Sequence, residues 1–232
     1  MATKRGEMMR ILVACEESQT VCMAFRAKGH EAYSCDIQPC SGGHPEWHVQ
    51  GDALRLIDGD CVFETMDGNT HTIDGQWDLL IAHPPCTYLS CAGNGALSPK
   101  RRNIGEIVER LKKRREAAAF FMQFVFARCQ RRVIENPVGF MNTRFRPPDC
   151  IIHPYMFGDN AMKRTCLWCF GVPPLKPTCD APPPEPTYTD KTGKKRYYTD
   201  AVSGWGKDTA KLRSKTFLGI AEAMAEQWGT LV

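Results

Sequence analysis

The segment RILVACEESQTVCMAFRAKGHEAYSCD, residues 10–36, carries the clearest signal of the fold class. It begins with a short apolar run at Arg10–Cys15 that predicts a buried strand, and residues 20–28 carry apolar side chains at helical spacing. Gly29 predicts the end of that helix, and Glu31–Asp36 predicts a second strand that ends on an acid. A strand, helix and strand in this order favour a parallel sheet, so we expect an α/β fold.

The chain after this unit supplies further strands. Apolar runs predict strands at Trp77–Ala82, Arg132–Glu135 and Cys166–Phe170. Between the second and third strands of the chain, residues 60–75 predict a hairpin insertion around an Asp-Gly-Asn turn. We therefore expect one domain over residues 1–232, built on a mainly parallel sheet.

Two further helices are predicted. Asn103 and Glu106 form a capping box at the start of a long helical pattern that runs to Cys129. The first half of this pattern is amphipathic, and the second half is apolar nearly all round, which predicts burial between layers. The last helix is predicted over residues 214–229.

Composition limits the class of protein. Thirty Lys and Arg against 26 Asp and Glu give a net charge of +4, which is compatible with nucleic acid but does not identify it as a partner. No secretory signal precedes the 12 cysteines, and no apolar stretch reaches the ~20 residues of a membrane span. We therefore expect a cytoplasmic protein with reduced thiols and no membrane contact.

Polar residues follow four of the predicted strands. Ligands bind at the carboxyl ends of strands in such sheets, and these ends are Glu16–Ser18, Asp36, His83–Cys86 and Glu135-Asn136. The Asp36 carboxylate suits the two ribose hydroxyls of an adenosine cofactor, and a strand-end cap is an equal alternative. The first loop lacks G-x-G-x-x-G, and its acids would repel phosphates, which favours a sulfonium cofactor over a dinucleotide.

Cys86 follows a buried strand on a rigid Pro84-Pro85 elbow. A catalytic cysteine needs exposure and a setting that favours its thiolate. Two prolines fix the turn and remove two backbone donors. The plain alternative is a buried loop thiol, which is the usual fate of a cysteine.

Three segments resemble DNA cytosine-5 methyltransferases. DLLIAHPPCTYLS, residues 78–90, resembles their catalytic motif, a hydrophobic strand followed by G-P-P-C-Q-x-F-S, and VIENPVGF, residues 133–140, resembles their E-N-V motif. Residues 11–39 occupy the place of the cofactor-binding strand, helix and acid, and Gly51-Asp52 falls at the family's G-D step. The order agrees, and the resemblance covers residues 10–170 and the last helix.

The resemblance implies a fold and a mechanism. The fold would be the Rossmann-like class I fold of S-adenosylmethionine-dependent methyltransferases, with a mainly parallel sheet. Cys86 would attack carbon 6 of cytosine, so that carbon 5 takes the methyl group of S-adenosylmethionine. Glu135 would hold the ring nitrogen and the exocyclic amine, Asn136 would brace its loop, and Arg164 would match the second arginine of the Q-x-R-x-R motif.

The resemblance also implies a cofactor surface and a DNA substrate. The implied cofactor-binding residues are Cys15, Glu16, Glu17, Ser18, Asp36, Ile37, Asp52, His83 and Pro84. The implied substrate-binding residues are Thr87, Lys163, Lys194, Lys195 and Arg196. Ser214 and Thr216 would touch the methionine carboxylate of the cofactor, and a capping serine on a packing helix is the alternative. The amino-acid sequence as a whole resembles small phage-encoded DNA methylases of this type. We expect a monomer.

The sequence departs from the family at several points. CEESQT, residues 15–20, replaces a glycine-rich loop, Thr87 replaces a glutamine and Met162 replaces the first arginine of Q-x-R-x-R. A proline-rich and basic loop over residues 172–212 stands in place of a target-recognition domain. We therefore expect short or relaxed sequence specificity, with residues 187–211 as the DNA-contacting loop.

The sequence is also compatible with other functions. An exocyclic amino methyltransferase acting on cytosine or adenine uses a D/N/S-P-P-Y/F/W turn at the same strand end, and Tyr88 would have to supply its aromatic ring. A decayed methylase fold that binds DNA, and transfer of a modified one-carbon group, are further alternatives. Cys166-x-x-Cys169 has zinc spacing, but a strand would point the two thiols to opposite faces, so we predict no metal.

Overall fold

A computed structural model describes residues 8–190, 192–197 and 216–231. Seven strands form one mainly parallel sheet in the order β3-β2-β1-β6-β7-β9-β8. Its strands are β1 Arg10–Ala14, β2 Glu31–Asp36, β3 His48–Gln50, β6 Leu79–Ala82, β7 Arg132–Pro137, β8 Cys150–Ile152 and β9 Thr165–Phe170. Strands β3, β2, β1, β6 and β7 pair in parallel, while β9 pairs antiparallel with both β7 and β8. The α/β prediction is confirmed, and the arrangement is compatible with a Rossmann-like fold.

Helices cover both faces of the sheet. They are α1 Thr20–Ala27, α2 Ile104–Phe126, α3 Phe140–Arg144 and α4 Leu218–Trp228. The central strands are buried on both faces, and alternate side chains enter two cores. In β1, Leu12 packs on the side of α2, whereas Ile11 and Val13 pack on the side of α1 and α4. The continuous apolar runs of the sequence therefore reflect a sheet covered on both faces.

The predicted hairpin over residues 60–75 consists of β4 Cys61–Glu64 and β5 Thr70–Ile73, which pair antiparallel. Its Phe63 and Ile73 are buried with Trp77 in the core on the α2 side of the sheet. A second two-stranded hairpin, β10 Tyr188–Thr189 and β11 Lys195–Arg196, lies within the proline-rich and basic loop. Residues 198–212 of that loop lie outside the described part of the chain.

Helix α2 begins as the sequence predicts, because Asn103 and Glu106 form both bonds of the capping box. The predicted burial of its second half between layers is wrong. Phe121 and Phe124 are fully buried, but Phe126 is exposed, so this half packs on one side only. The physical reason is that the helix packs on the sheet with one face, and its opposite face, which carries Phe126, is exposed.

The topology brings the functional strand ends together. The carboxyl ends of β1, β2, β3, β6 and β7 lie at one edge of the sheet, because these strands are parallel. Strand β9 runs in the opposite direction, so its start lies at the same edge, with Thr165 opposite Pro137. No helix among the described residues is long and apolar enough to cross a membrane.

Candidate active site

The loop after β6 presents Cys86 at the surface. β6 ends at Ala82, and the backbone then passes through Pro84–Cys86 before it turns back. The Cys86 carbonyl closes this turn, since it accepts from the backbone N–H of Leu89 at 3.0 Å and of Ser90 at 2.9 Å. The Cys86 side chain is exposed. The elbow predicted from the two prolines therefore ends in an accessible thiol, and the alternative of a buried loop thiol does not hold.

The loop after β7 supports the loop after β6. Asn136 is buried, and its Nδ2 donates to the carbonyl of Pro84 at 2.8 Å. The Phe140 backbone N–H donates to the Leu89 carbonyl at 2.7 Å. At Gly139 the two backbones approach so closely that a Cβ would overlap the Leu89 carbonyl oxygen. Two neighbouring strand-end loops are thus bonded into one unit that carries Cys86.

Glu135 and His83 form a buried pair beside this unit. His83 Nδ1 donates to Glu135 Oε2 at 3.4 Å, and the two side chains are 9% and 17% exposed. Burial raises the pKa of Glu135, but the His83 hydrogen bond and the Lys163 charge outweigh it and hold that pKa below its ordinary value. Glu135 is therefore an ionised acceptor at neutral pH. His83 Nε2 is buried without a hydrogen-bond partner among the described residues.

Glu16 has a structural role that the sequence did not reveal. Its carboxylate accepts from the backbone N–H groups of Val21 at 2.6 Å and Cys22 at 3.2 Å, at the start of α1. These bonds satisfy donors that a helix leaves unpaired at its first turn. Burial raises the pKa of Glu16 to about 7, although the charge of His83 and the two backbone bonds act against this. The predicted cofactor residue is thus a buried cap of α1.

The next residues of the first loop also face inward. Glu17 and Ser18 are buried, and Glu17 accepts from the Ser41 hydroxyl. Gln19, which sequence reasoning passed over, is fully buried in a left-handed backbone conformation at φ 59°. Its side chain donates to the His44 carbonyl at 2.8 Å and accepts from the His44 N–H at 3.1 Å. This loop is therefore bonded to the loop that follows β2.

An acidic edge lies beside the first loop. Asp36 and Asp52 each accept one backbone N–H from two residues further on, at 2.9 Å and 3.0 Å, through Oδ1. The second oxygen of each carboxylate has no hydrogen-bond partner in the part of the chain that the structure describes. Ile37 is exposed next to them. Cys15 lies at the same edge. Burial raises the pKa of its thiol, and the nearby negative charge of Asp36 raises it further.

Two basic residues reach the site from the loop that precedes β9. Lys163 and Thr216 line one crevice with Glu135. Arg164 is exposed, and it directly precedes β9, whose first residue lies opposite Pro137. The structure therefore brings both predicted basic residues to the end of β7. Ser214 lies outside the described residues.

Two arginines from α2 hold the far side of the Cys86 loop, and sequence reasoning missed both. Arg114 is buried, and it donates through Nε to the Tyr88 carbonyl and through Nη2 to Asn94, both at 2.8 Å. Arg110 donates to the Thr87 carbonyl at 3.3 Å, and its guanidinium lies 5.1 Å from the centre of the Tyr88 ring. The one available signal was their spacing of four residues, which places both on one face of a helix.

The remaining predicted substrate residues lie in the β10–β11 hairpin. Lys194, Lys195 and Arg196 are part of it, and Arg196 Nε pairs with Asp190 Oδ2 at 2.8 Å. The hydrogen bonds that define the hairpin run within it. A role of this hairpin in DNA contact stays a prediction.

The cysteines with zinc spacing point in different directions. Cys166 packs in the core on the α2 side, whereas Cys169 packs on the α1 side, where its thiol is hydrogen-bonded to that of Cys150. Strand alternation explains the separation. Within residues 8–190, 192–197 and 216–231, no group of three or more potential ligands is arranged to hold a metal ion.

No protein-family model matches this chain, and no curated protein matches it. The interpretation of the site therefore depends on its own residues and their geometry.

Proposed function

We propose that this protein is an S-adenosylmethionine-dependent DNA cytosine-5 methyltransferase with a Rossmann-like class I fold. One observation carries the proposal. An exposed Cys86 stands on a proline elbow that Asn136 binds at 2.8 Å, and Glu135, the residue before Asn136, is held in its ionised form by His83 and Lys163. A thiol nucleophile and a carboxylate acceptor on two braced loops are the groups that addition to a cytosine ring needs.

Cys86 would act as the nucleophile. Its thiolate forms a bond to carbon 6 of a cytosine that has left the duplex, and the electron pair of the 5,6 double bond moves to carbon 5. Carbon 5 would then take the methyl group, and its proton would pass to a base. The electron pair of that carbon–hydrogen bond re-forms the 5,6 double bond as the Cys86 thiolate leaves carbon 6. The rigid turn suits this step, because attack on a ring requires a nucleophile held within a fraction of an ångström.

Glu135 would recognise the cytosine. Its carboxylate accepts hydrogen bonds from the exocyclic amine and, once the ring nitrogen is protonated, from that nitrogen as well. His83 fixes the carboxylate by its hydrogen bond, and the charge of Lys163 favours its ionised form. Arg164 lies at the same strand end, where its guanidinium would contact a phosphate of the extruded nucleotide.

The residues at the acidic edge fit S-adenosylmethionine. The free oxygens of Asp36 and Asp52 would accept the ribose hydroxyls, and the exposed Ile37 would lie against the adenine ring. The inward-facing first loop leaves backbone rather than side chains to contact the methionine part. When bound, this cofactor supplies an electrophilic methyl group on a positively charged sulfur, which suits an edge lined by carboxylates.

The setting of Tyr88 favours carbon 5 over an exocyclic nitrogen as the methylated atom. An amino methyltransferase needs an aromatic ring free to stack on the extruded base. The Tyr88 ring is already packed against the Arg110 guanidinium, and its backbone carbonyl is bound by Arg114. The Cys86 thiol of the same loop is exposed.

Mass spectrometry of nucleosides tests the proposal. Wild-type protein and Cys86→Ala are incubated with S-adenosylmethionine and DNA that lacks cytosine methylation, and the DNA is digested. We expect 5-methylcytosine with the wild type and at least a thousandfold less with the variant, since the nucleophile is lost. Methylation of an exocyclic nitrogen, or undiminished 5-methylcytosine with Cys86→Ala, would contradict it.

A further inference from the structure

The first half of α2 carries an exposed apolar stripe. Ile104, Val108 and Leu111 are 68%, 60% and 42% exposed. Their spacing of four and three residues places them on one face of the helix. The helix has 23 residues, which corresponds to about 34 Å, and its buried Phe121 and Phe124 lie in the second half. An apolar stripe on a projecting helix is typical of an interaction surface.

The same segment concentrates positive charge. Residues 100–115 contain eight Lys or Arg and two Glu, a net charge of +6, whereas the whole chain carries +4. Both glutamates are used within the segment, since Glu106 pairs with Arg102 at 2.8 Å and Glu109 with Lys113 at 3.7 Å. Arg110 and Arg114 hold the loop of Cys86, which leaves four exposed cations available to an anionic partner: Lys100, Arg101, Lys112 and Arg115.

Two cations flank the stripe directly. Lys112 follows Val108 by four residues, and Arg115 follows Leu111 by four, so both lie along the apolar face. Both side chains are exposed and have no ion pair among the described residues. Glu109 lies further round the helix on the same flank as Lys112, and it pairs with Lys113. The face therefore combines apolar contact area with two exposed cations, and Glu116, four residues after Lys112, is the one acid on this flank that forms no ion pair among the described residues.

The stripe is continuous with the proposed catalytic loop. Arg110 and Arg114, from the adjoining face of the same half of α2, bind the carbonyls of Thr87 and Tyr88. Cys86 directly precedes Thr87 in the chain. A partner that lies along this half of α2 therefore contacts the same helix segment that holds the loop of Cys86.

We propose that this half of α2 binds the DNA duplex that carries the target cytosine. Lys112 and Arg115 contact phosphates, and Ile104, Val108 and Leu111 pack against the sugars that line a groove. The inference rests on the proposed function and assigns to α2 the role that a target-recognition domain would have. A second copy of the chain is the weaker occupant, because it would bring two segments of charge +6 together, whereas DNA is a polyanion.

Fluorescence anisotropy with a short labelled duplex tests the charges. The test variant is Lys112→Gln with Arg115→Gln, and the matched control is Lys28→Gln with Lys176→Gln, which removes the same charge near the opposite edge of the sheet. We expect Kd to rise about tenfold or more for the test variant and the slope of log Kd against log salt to fall by about 2. An unchanged Kd and slope, or an equal loss in the control, would overturn the proposal.

The apolar stripe is tested separately with Ile104→Ser, Val108→Ser and Leu111→Ser combined. We expect DNA binding to weaken at least fivefold while sedimentation shows a monomer for both wild type and variant. A wild-type dimer that this variant dissociates would assign the face to self-association and overturn the proposal.

These measurements separate the surface from the reaction, since binding does not require methyl transfer. If the test variant loses DNA binding but the wild type forms no 5-methylcytosine, the surface stands and the proposed function fails. If the wild type forms 5-methylcytosine and the test variant binds DNA as well as the wild type, only the surface proposal fails.

Discussion

The loops after β1 and β6 leave neighbouring parallel strands, with Ala14 opposite Ala82, yet they are built in opposite ways. After β1, the chain turns its acidic side chains inward, and Glu16 caps α1. After β6, two prolines carry the chain outward, and Cys86 is exposed. Equivalent strand ends therefore serve different purposes in this fold, since one closes the core and the other presents an exposed thiol.

The two loops also differ in what supports them. The loop after β1 is held by its own helix and by the loop after β2, through Gln19 and His44. The loop after β6 is held by the loop after β7, through Asn136 and the close approach at Gly139. We therefore expect changes in the β7 loop to impair chemistry, and changes in the β1 loop to alter stability.

Gly139→Ala should produce the largest effect. The added methyl group would overlap the Leu89 carbonyl oxygen, which is backbone and cannot rotate away. We expect a loss of about 3 kcal/mol in the free energy of unfolding and at least a hundredfold loss of methyl transfer. Urea unfolding and a tritiated-methyl assay measure the two effects.

Gly105→Ala is the matched control in the same chain. A Cβ at Gly105 meets only the side-chain oxygen of Asn103, at 3.4 Å, in the first turn of α2. We expect the free energy of unfolding to rise by up to about 1 kcal/mol, since alanine favours the helix over glycine. Equal stability and activity of Gly139→Ala and Gly105→Ala would show that the two loops are not closely joined.

Asn136→Ala should have an intermediate effect that is mainly on the rate. The variant loses the bond from Nδ2 to the Pro84 carbonyl, so the elbow beneath Cys86 loosens. We expect kcat to fall by tenfold to a hundredfold, with about 1–2 kcal/mol lost in stability. Steady-state kinetics and urea unfolding provide the measurements, and an unchanged kcat with a raised KM for the cofactor would contradict this role.

Glu16→Gln should change the pH dependence of stability. Because the folded-state pKa is raised from 4.5 to about 7, the folded state binds the proton more tightly than the unfolded chain does. This group therefore favours folding most below its unfolded pKa, and stability falls as the pH rises toward 7. The free energy of unfolding falls by about 3 kcal/mol over this range. Glu16→Gln should abolish this pH dependence, because the amide is neutral and still accepts from the Val21 N–H.

Urea unfolding of wild type and Glu16→Gln across this pH range measures the difference directly. The free energy of unfolding of the variant, relative to the wild type, should increase as the pH rises from about 4.5 to 7. Parallel pH profiles for the two proteins would contradict the assignment of Glu16 as a buried cap with a raised pKa.

Local patterns predicted the parts of the fold that depend on local physics. The strand, helix and strand of residues 10–36 follow from apolar periodicity, and the capping box at Asn103 follows from residues three positions apart. The exposure of Cys86 agrees with what two prolines do to a strand end. Burial of the second half of α2 was wrong, because composition shows that a segment is apolar but not which faces are covered.

The remaining features depend on contacts between distant residues. The inward turn of Glu16 and Gln19 depends on packing against the loop after β2, which no local pattern records. Arg114 reaches Tyr88 across 26 residues, and Asn136 reaches Pro84 across 52. Such pairs are set by topology, and a single sequence carries no signal of them.

A covalent complex with DNA is the most direct test of the central claim that Cys86 attacks cytosine. The protein and S-adenosylmethionine are incubated with a duplex in which 5-fluorocytosine replaces the cytosines of one strand. Release of the thiolate requires loss of a proton from carbon 5. Because the fluorine on carbon 5 cannot leave in this way, the adduct between the thiol and the base should persist. We predict a denaturation-resistant complex, mapped by peptide mass spectrometry to Cys86 and missing in Cys86→Ala. Formation of 5-methylcytosine in ordinary DNA without any such complex, or an adduct on Cys91 instead, would contradict the account.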